Sequence, residues 1–186
     1  MKEVFLVTKN PEKLEEISAV MKEKGISVRQ LALEKEEDKS LSVEEIAVHN
    51  AKLFAEKEQK PVIVDDTGIY FDALDNFPGS SPKDAFHEFG FDGLLKKVEG
   101  KERGMRFKTA AAYCEPGREP IVVVEELRGR LTEKVYGKDE KRRMVYERIF
   151  IPEGGDRPMV LMTREEKNKL SHRAKAFREL AGKIKA

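Results

Sequence analysis

Tryptophan is absent from this chain, and cysteine occurs once in 186 residues, as Cys114 inside an apolar run. A single thiol excludes an intrachain disulfide, and Cys114 reads as packing rather than as a reactive group, so a reducing compartment is expected. Charge of one sign is missing as well: 36 basic and 35 acidic side chains leave a formal net charge of +1. That balance excludes the broad field that would favour DNA or an anionic membrane, so nucleic acid is an unlikely partner. No apolar run approaches the roughly 18 residues of a membrane span. The amino-terminal Met1-Lys-Glu-Val-Phe-Leu-Val-Thr8 is too short in its apolar part, and acidic too early, for a signal peptide. A soluble cytoplasmic protein without a membrane partner is the expectation. Neither Gly-x-Gly-x-x-Gly nor Gly-x-x-x-x-Gly-Lys occurs, so any nucleotide must be held without those glycine-rich cradles.

What is present has the size of one domain with a real core, at 186 residues and 21.2 kDa. Val4 to Val7 reads as a strand, after which Asn10 caps a helix that starts at Pro11 and stops at Gly25. Ile26 to Leu33 reads as a second strand and Glu34 to Lys39 as a charged loop. Ser42 with Glu45 then forms a capping box for a helix reaching about Lys57. A third strand over Val62 to Val64 is cut off by the carboxylates of Asp65 and Asp66. A turn over Asn76 to Gly79 leads to a helix from about Pro82 to Val98, which Gly90 and Gly93 interrupt or bend. Strands follow over Arg106–Cys114, Pro120–Leu127 and Gly129–Val135, with a hairpin turn at Glu115–Arg118. Arg142 to Ile151 has no clean period. Thr163 with Glu166 forms a second capping box, and a closing helix runs to about Ile184 with a break near Ser171. The order predicts an α/β fold, a mixed sheet with flanking helices in one domain over 1–186, its antiparallel-rich lobe at about 104–155.

The chain is organised around Pro61-Val-Ile-Val-Asp-Asp-Thr-Gly-Ile-Tyr70, which reads as a buried strand whose carboxyl end opens into a site, or alternatively as an ordinary solvated turn. Upstream, Thr8-Lys-Asn-Pro-Glu-Lys13 places a helix start directly after a strand, an arrangement that turns free backbone N–H groups toward an anion. Lys9 and Lys13 add positive charge there.

These pieces together, with Phe77-Pro-Gly79 and Glu165-Glu-Lys-Asn-Lys-Leu-Ser-His-Arg173, resemble the inosine triphosphate pyrophosphatase (Ham1-like) family across nearly the whole chain. The last motif is the most specific of the four. The resemblance implies an elongated mixed α/β protein with two lobes around a central cleft, acting as a homodimer. It implies Mg²⁺-dependent hydrolysis of ITP, dITP or XTP to the monophosphate and pyrophosphate. It implies phosphate or substrate contacts at Thr8, Asn10, Lys13, Lys52 and Thr67, with Asp66 activating water. Glu37, or Glu36 in a loop of variable length, would bind metal with Asp65 and Asp66. Lys167, Ser171, His172 and Arg173 would surround base and phosphates, His172 as a hydrogen-bond donor to a purine 6-oxygen. The chemistry agrees: a triphosphate needs lysines and backbone donors, and Mg²⁺ lets carboxylates approach the same phosphates.

Two stretches depart from the family pattern. Met144-Val-Tyr-Glu-Arg-Ile-Phe150 has Met144 where a stacking aromatic is usual, Glu147 in place of aspartate and Arg148 in place of proline. Ser80-Ser-Pro-Lys83 stands where many members carry a Tyr-Ser-Ala-Arg-like sequence, with Lys83 supplying the charge. Two readings follow: a pyrophosphatase with altered or relaxed base preference, or a non-catalytic nucleotide- or nucleic-acid-binding paralogue using Lys138 and Lys141-Arg-Arg143.

Overall fold

A computed structural model describes residues 2–36, 38, 40–137 and 144–185. Strand β1 (Lys2–Val7) leads into helix α1 (Pro11–Glu23), then β2 (Ile26–Leu31) and α2 (Val43–Glu58). Strands β3 (Val62–Phe71) and β4 (Pro78–Gly79) precede α3 (Pro82–Lys97); β5 (Gly104–Cys114), β6 (Ile121–Leu131) and β7 (Phe150–Pro152) follow, and α4 (Arg164–Leu170) and α5 (His172–Lys185) close the chain. Both capping boxes form, Ser42 with Glu45 at α2 and Thr163 with Glu166 at α4, so each start signal is local and readable.

The sheet runs β2-β1-β3-β5-β6-β7, with β4 beside β3. Its first three strands are parallel and the remainder pair antiparallel. The α/β class and mixed sheet are therefore as the sequence implied. On one face of the parallel part, Leu6 and Ile63 pack against Ile17 and Met21 of α1 and Phe177 and Leu180 of α5. On the other, Val62 and Val64 meet Val43, Ala47 and Phe54 of α2. The antiparallel end has its own core of Phe71, Leu94, Phe107, Tyr146 and Phe150. Among the described residues no helix is long and apolar enough to cross a membrane.

Three elements differ from the sequence expectation. Strand β3 does not stop at Asp65 but continues to Phe71, paired with β5 along its whole length. Strand β6 is one strand through Gly129 rather than two, and Gly129 is there because a Cβ would collide with the Ile151 carbonyl and the Phe150 ring of β7. Of the two α3 glycines only Gly90 leaves helical geometry, at φ 59°. The segment without a clean period becomes a 3₁₀ turn over Val145–Ile149 followed by β7.

Gly68 links two motifs that lie apart in sequence. A Cβ on it would stand 2.6 Å from the Tyr70 hydroxyl and 2.9 Å from the Gly79 carbonyl of β4. Gly68→Ala is expected to destabilise the protein by about 1–3 kcal/mol, the usual cost of overpacking. A shift of the urea midpoint at unchanged slope would register it.

Candidate active site

Strand β1 ends at Val7 and pairs with β3 only at Phe5↔Val62 and Leu6↔Ile63. Asp65 and Asp66 therefore lie in mid-β3, just beyond the carboxyl end of β1, where the sheet opens beside the start of α1. Crevices outside the carboxyl ends of parallel strands are where open α/β sheets bind ligands.

Consecutive strand residues point to opposite faces. Asp65 turns to the α1–α5 side, where its carboxylate pairs with Lys13 Nζ and, at 2.5 Å, with Arg173 Nε. Asp66 turns to the α2 side and pairs at 2.5 Å with Lys35 Nζ, which also donates to the Asp65 carbonyl at 2.8 Å. The two carboxylates are thus not one ligand set, contrary to the expectation that both grip one cation. Burial alone would raise the Asp65 carboxyl; the Arg173 guanidinium and Lys13 ammonium outweigh it and hold the group well below the usual carboxylate range. Burial lowers the Lys13 ammonium, and Asp65 offsets part of that.

A cavity of about 450 Å³ opens beside Asp65, lined by Asn10, Lys13, Thr67, Lys83, Met144, Glu147, His172 and Arg173 among others. That volume is in the ordinary range for small-molecule sites, about 300–1,000 Å³. Its polar wall comes from the α1 start: Asn10 Oδ1 accepts from the Glu12 N–H, while Thr8 Oγ1 accepts from the Asn10 N–H behind it. Thr67 shares a 2.7 Å hydroxyl contact with Thr109 and lies 3.3 Å from Arg173 Nη2. Its apolar wall is Ile69, Phe86, Phe107, Tyr146 and Met159.

His172 is the least exposed of the polar residues that line this cavity. Its ring stacks on Phe107 with centroids 5.0 Å apart, and both ring nitrogens are buried with no hydrogen-bond partner among the described residues. Burial, helped by the charge of Arg173, lowers its pKa well below the ordinary value, so the ring is neutral at pH 7 and offers one donor and one acceptor. A buried donor and acceptor left unmet are costly, and a polar planar ligand would satisfy both. Next to it Glu147 pairs at 2.5 Å with Lys167; burial raises the Glu147 carboxyl, and Lys167 counters part of that.

Other expected residues stand elsewhere. Lys52 is exposed on α2 and pairs with Glu119 at 2.9 Å, beside the β5–β6 connection, so the structure does not bring it to the cleft. Ser171 is fully buried and donates to Glu16 at 2.7 Å, and its hydroxyl accepts from the Ala174 N–H at the start of α5, so it shapes the α4–α5 junction rather than the cavity wall. Lys167 lines an adjoining cleft. Glu36 holds His49 at the surface, while Glu37, Lys138 and Lys141-Arg-Arg143 lie outside the described residues.

Two charged participants are not singled out by the sequence. Glu16 accepts from Arg173 Nη1 at 2.8 Å, and its position one helical turn after Lys13 was a usable signal. Lys35, in an irregular loop of alternating charge, had none.

Comparison with known proteins adds a family. A profile of the Ham1 family matches residues 4–183. A dITP/XTP pyrophosphatase from Methanopyrus kandleri is 39% identical over 179 residues, spanning 96% of this chain and 94% of its own. Another, from Pyrobaculum aerophilum, is 40% identical over 178 residues, spanning 95% and 93%. A solved HAM1 protein from Coxiella burnetii superposes with a TM-score of 0.82 at 22% identity, over 100% of this chain and 99% of that one, which speaks to fold alone.

Proposed function

This chain belongs to the Ham1 family, and from that premise we propose that it hydrolyses non-canonical purine nucleoside triphosphates such as dITP, ITP and XTP to the monophosphate and pyrophosphate, with Mg²⁺. The observation that carries the reading is His172: a neutral, buried ring whose two nitrogens have no partner among the described residues, in a cavity also lined by Asn10, Lys13 and Arg173. The first suits a purine edge and the second a phosphate chain.

In this reading the base enters between Phe86, Phe107 and Tyr146, with a His172 N–H donating to a 6-oxo group. Adenine presents an amino group there, and a mismatch of buried donors costs kilocalories. Lys13, the α1 start and Lys83 hold the phosphates. The family resemblance gives Asp66, which turns to the α2 side of β3 and is not part of this cavity's lining, the role of accepting the proton of the attacking water, so that the bond to the α-phosphorus forms as pyrophosphate departs. Asp65 acts indirectly, fixing Lys13 and Arg173.

The donor set at Asp66 fits a hard divalent cation. Its carboxylate offers hard oxygens, and the Lys35 ammonium already sits between Asp66 Oδ1 and the Asp65 carbonyl, so positive charge is accommodated there. Among the described residues no cluster of three potential ligands exists, yet magnesium is commonly held through one or two carboxylates with several waters retained. Asp66 would hold it, joined on the family resemblance alone by Glu37, and it would supply charge neutralisation on the phosphates. The reading extends to a homodimer, on the family resemblance alone, and to the cytoplasm, on the single cysteine and the absence of a long apolar run in the sequence.

The test is pyrophosphate release from XTP, dITP, ITP, ATP and GTP, each with Mg²⁺ and with a chelator. Oxo-purine substrates are expected to exceed ATP in kcat/KM by about a hundredfold, and chelation to stop turnover. His172→Leu should shrink the XTP-to-ATP ratio by about ten- to hundredfold, the worth of a hydrogen bond in a buried site. Equal use of ATP by the unaltered protein would refute the base assignment. No turnover of any triphosphate, with salt-sensitive binding to single-stranded RNA, would favour the non-catalytic reading instead.

A further inference from the structure

One cation beside the site has no part in the reaction just described. Lys35 lies in the irregular segment between β2 and α2, and only 12% of its side chain is exposed. Its Nζ reaches the Asp66 carboxylate at 2.5 Å and the Asp65 carbonyl at 2.8 Å. The segment is pinned immediately after it: the buried Asn50 of α2 accepts from the Glu36 N–H at 2.9 Å and donates to the Glu36 carbonyl at 2.8 Å. Asn50 thereby fixes the backbone that delivers Lys35. The ammonium thus sits between two oxygens of the kind that a hard divalent cation would also take.

We propose that Lys35 is an exchangeable counter-ion: it neutralises Asp66 in the metal-free protein and is displaced from that carboxylate when a divalent cation binds. The proposal rests on the assignment of Asp66 as a metal-holding residue. Its physical basis is that a carboxylate this enclosed, with 9% of its side chain exposed, requires a positive partner in every state. Lys35 supplies one before the metal arrives. Exchange keeps a positive partner on Asp66 in both states and makes metal affinity a difference between two cations competing for the same oxygens. The cost is weaker metal binding than an uncontested Asp66 would show.

The experiment measures Mn²⁺ binding to the nucleotide-free protein, from the electron paramagnetic resonance signal of the unbound ion. Lys35→Met is expected to bind Mn²⁺ about ten- to hundredfold more tightly, the fold-change for removing a charge-assisted hydrogen bond that competes. Lys35→Gln should do the same if the methionine variant folds poorly. Lys35→Arg, which keeps the competing charge, should stay within a few-fold of the unaltered protein. Lys183→Met, which removes a distant surface charge, should leave affinity unchanged. Unaltered or weakened Mn²⁺ binding in folded Lys35→Met and Lys35→Gln would overturn the proposal. Asp66→Asn separates the two levels: if it binds Mn²⁺ as the unaltered protein does, the metal assignment of Asp66 fails, whatever Lys35 does.

Discussion

Asp66→Asn is expected to lower kcat for pyrophosphate release from XTP or dITP by about a thousandfold while the protein remains folded, in line with the loss of a general base. The reason to choose this carboxylate over its neighbour is structural. Asp65 is 2% exposed, and its oxygens are taken by Lys13 and Arg173. Asp66 has one ion-pair partner among the described residues, Lys35, which an incoming cation can replace. Asparagine preserves the size of the side chain and one oxygen for Lys35, but loses the charge and the basicity that take a proton from water. Steady-state kinetics beside circular dichroism would check the outcome. A folded variant retaining more than a tenth of the activity would move water activation to another group.

Asp65→Asn is expected to act on stability first. It removes the anion facing two buried cations, and breaking a buried ion pair from one side costs about 3–5 kcal/mol, because the partner is left uncompensated. Here Lys13 and Arg173 are both left behind, with Glu16 still engaging the guanidinium. Removing Lys13 as well, in Asp65→Asn with Lys13→Met, should recover part of the loss, as coupled neighbours do. The pH dependence follows from the direction of the shift. The Asp65 carboxyl is held lower in the folded protein than in the unfolded chain, where it is about 3.9. As pH falls through that unfolded value, the unfolded chain takes up the proton first, so stability is complete above about pH 5 and drains away below about 4. Urea midpoints from pH 3 to 7 should show this slope in the unaltered protein, and a flatter one in the variant. Equal slopes would mean that other carboxylates carry the acid sensitivity.

The His172 end of the cavity illustrates how departures from the family motif are absorbed. Arg148, in the position of a family proline, stacks its guanidinium 4.9 Å from the Phe91 ring centroid and donates to the carbonyls of Tyr136 and Gly137, so it ties down the segment that follows β6. Tyr146, two residues beyond Met144, turns inward and donates to the Pro82 carbonyl at 2.8 Å. Aromatic surface in the cavity is thereby supplied by Tyr146, Phe86 and Phe107 in place of a residue at 144. None of these three was a candidate from sequence, because each belongs to a run whose apolar character reads equally well as core.

By sequence alone, the chain determined what neighbouring residues decide among themselves: the helix starts at Asn10, Ser42 and Thr163, the break at Ser171, the parallel-then-antiparallel order of elements, and the motifs that mark the family. Caps and periodicities act over a few residues, so their energetics are written in the string. Tertiary structure alone decided that β3 runs straight through two adjacent carboxylates, that those carboxylates face opposite ways, and that Lys35 and not Lys52 stands at Asp66. Those outcomes depend on cations 31, 52 and 108 residues distant. A buried charge takes whichever opposite charge the fold brings within reach, and separation along the chain carries no information about that.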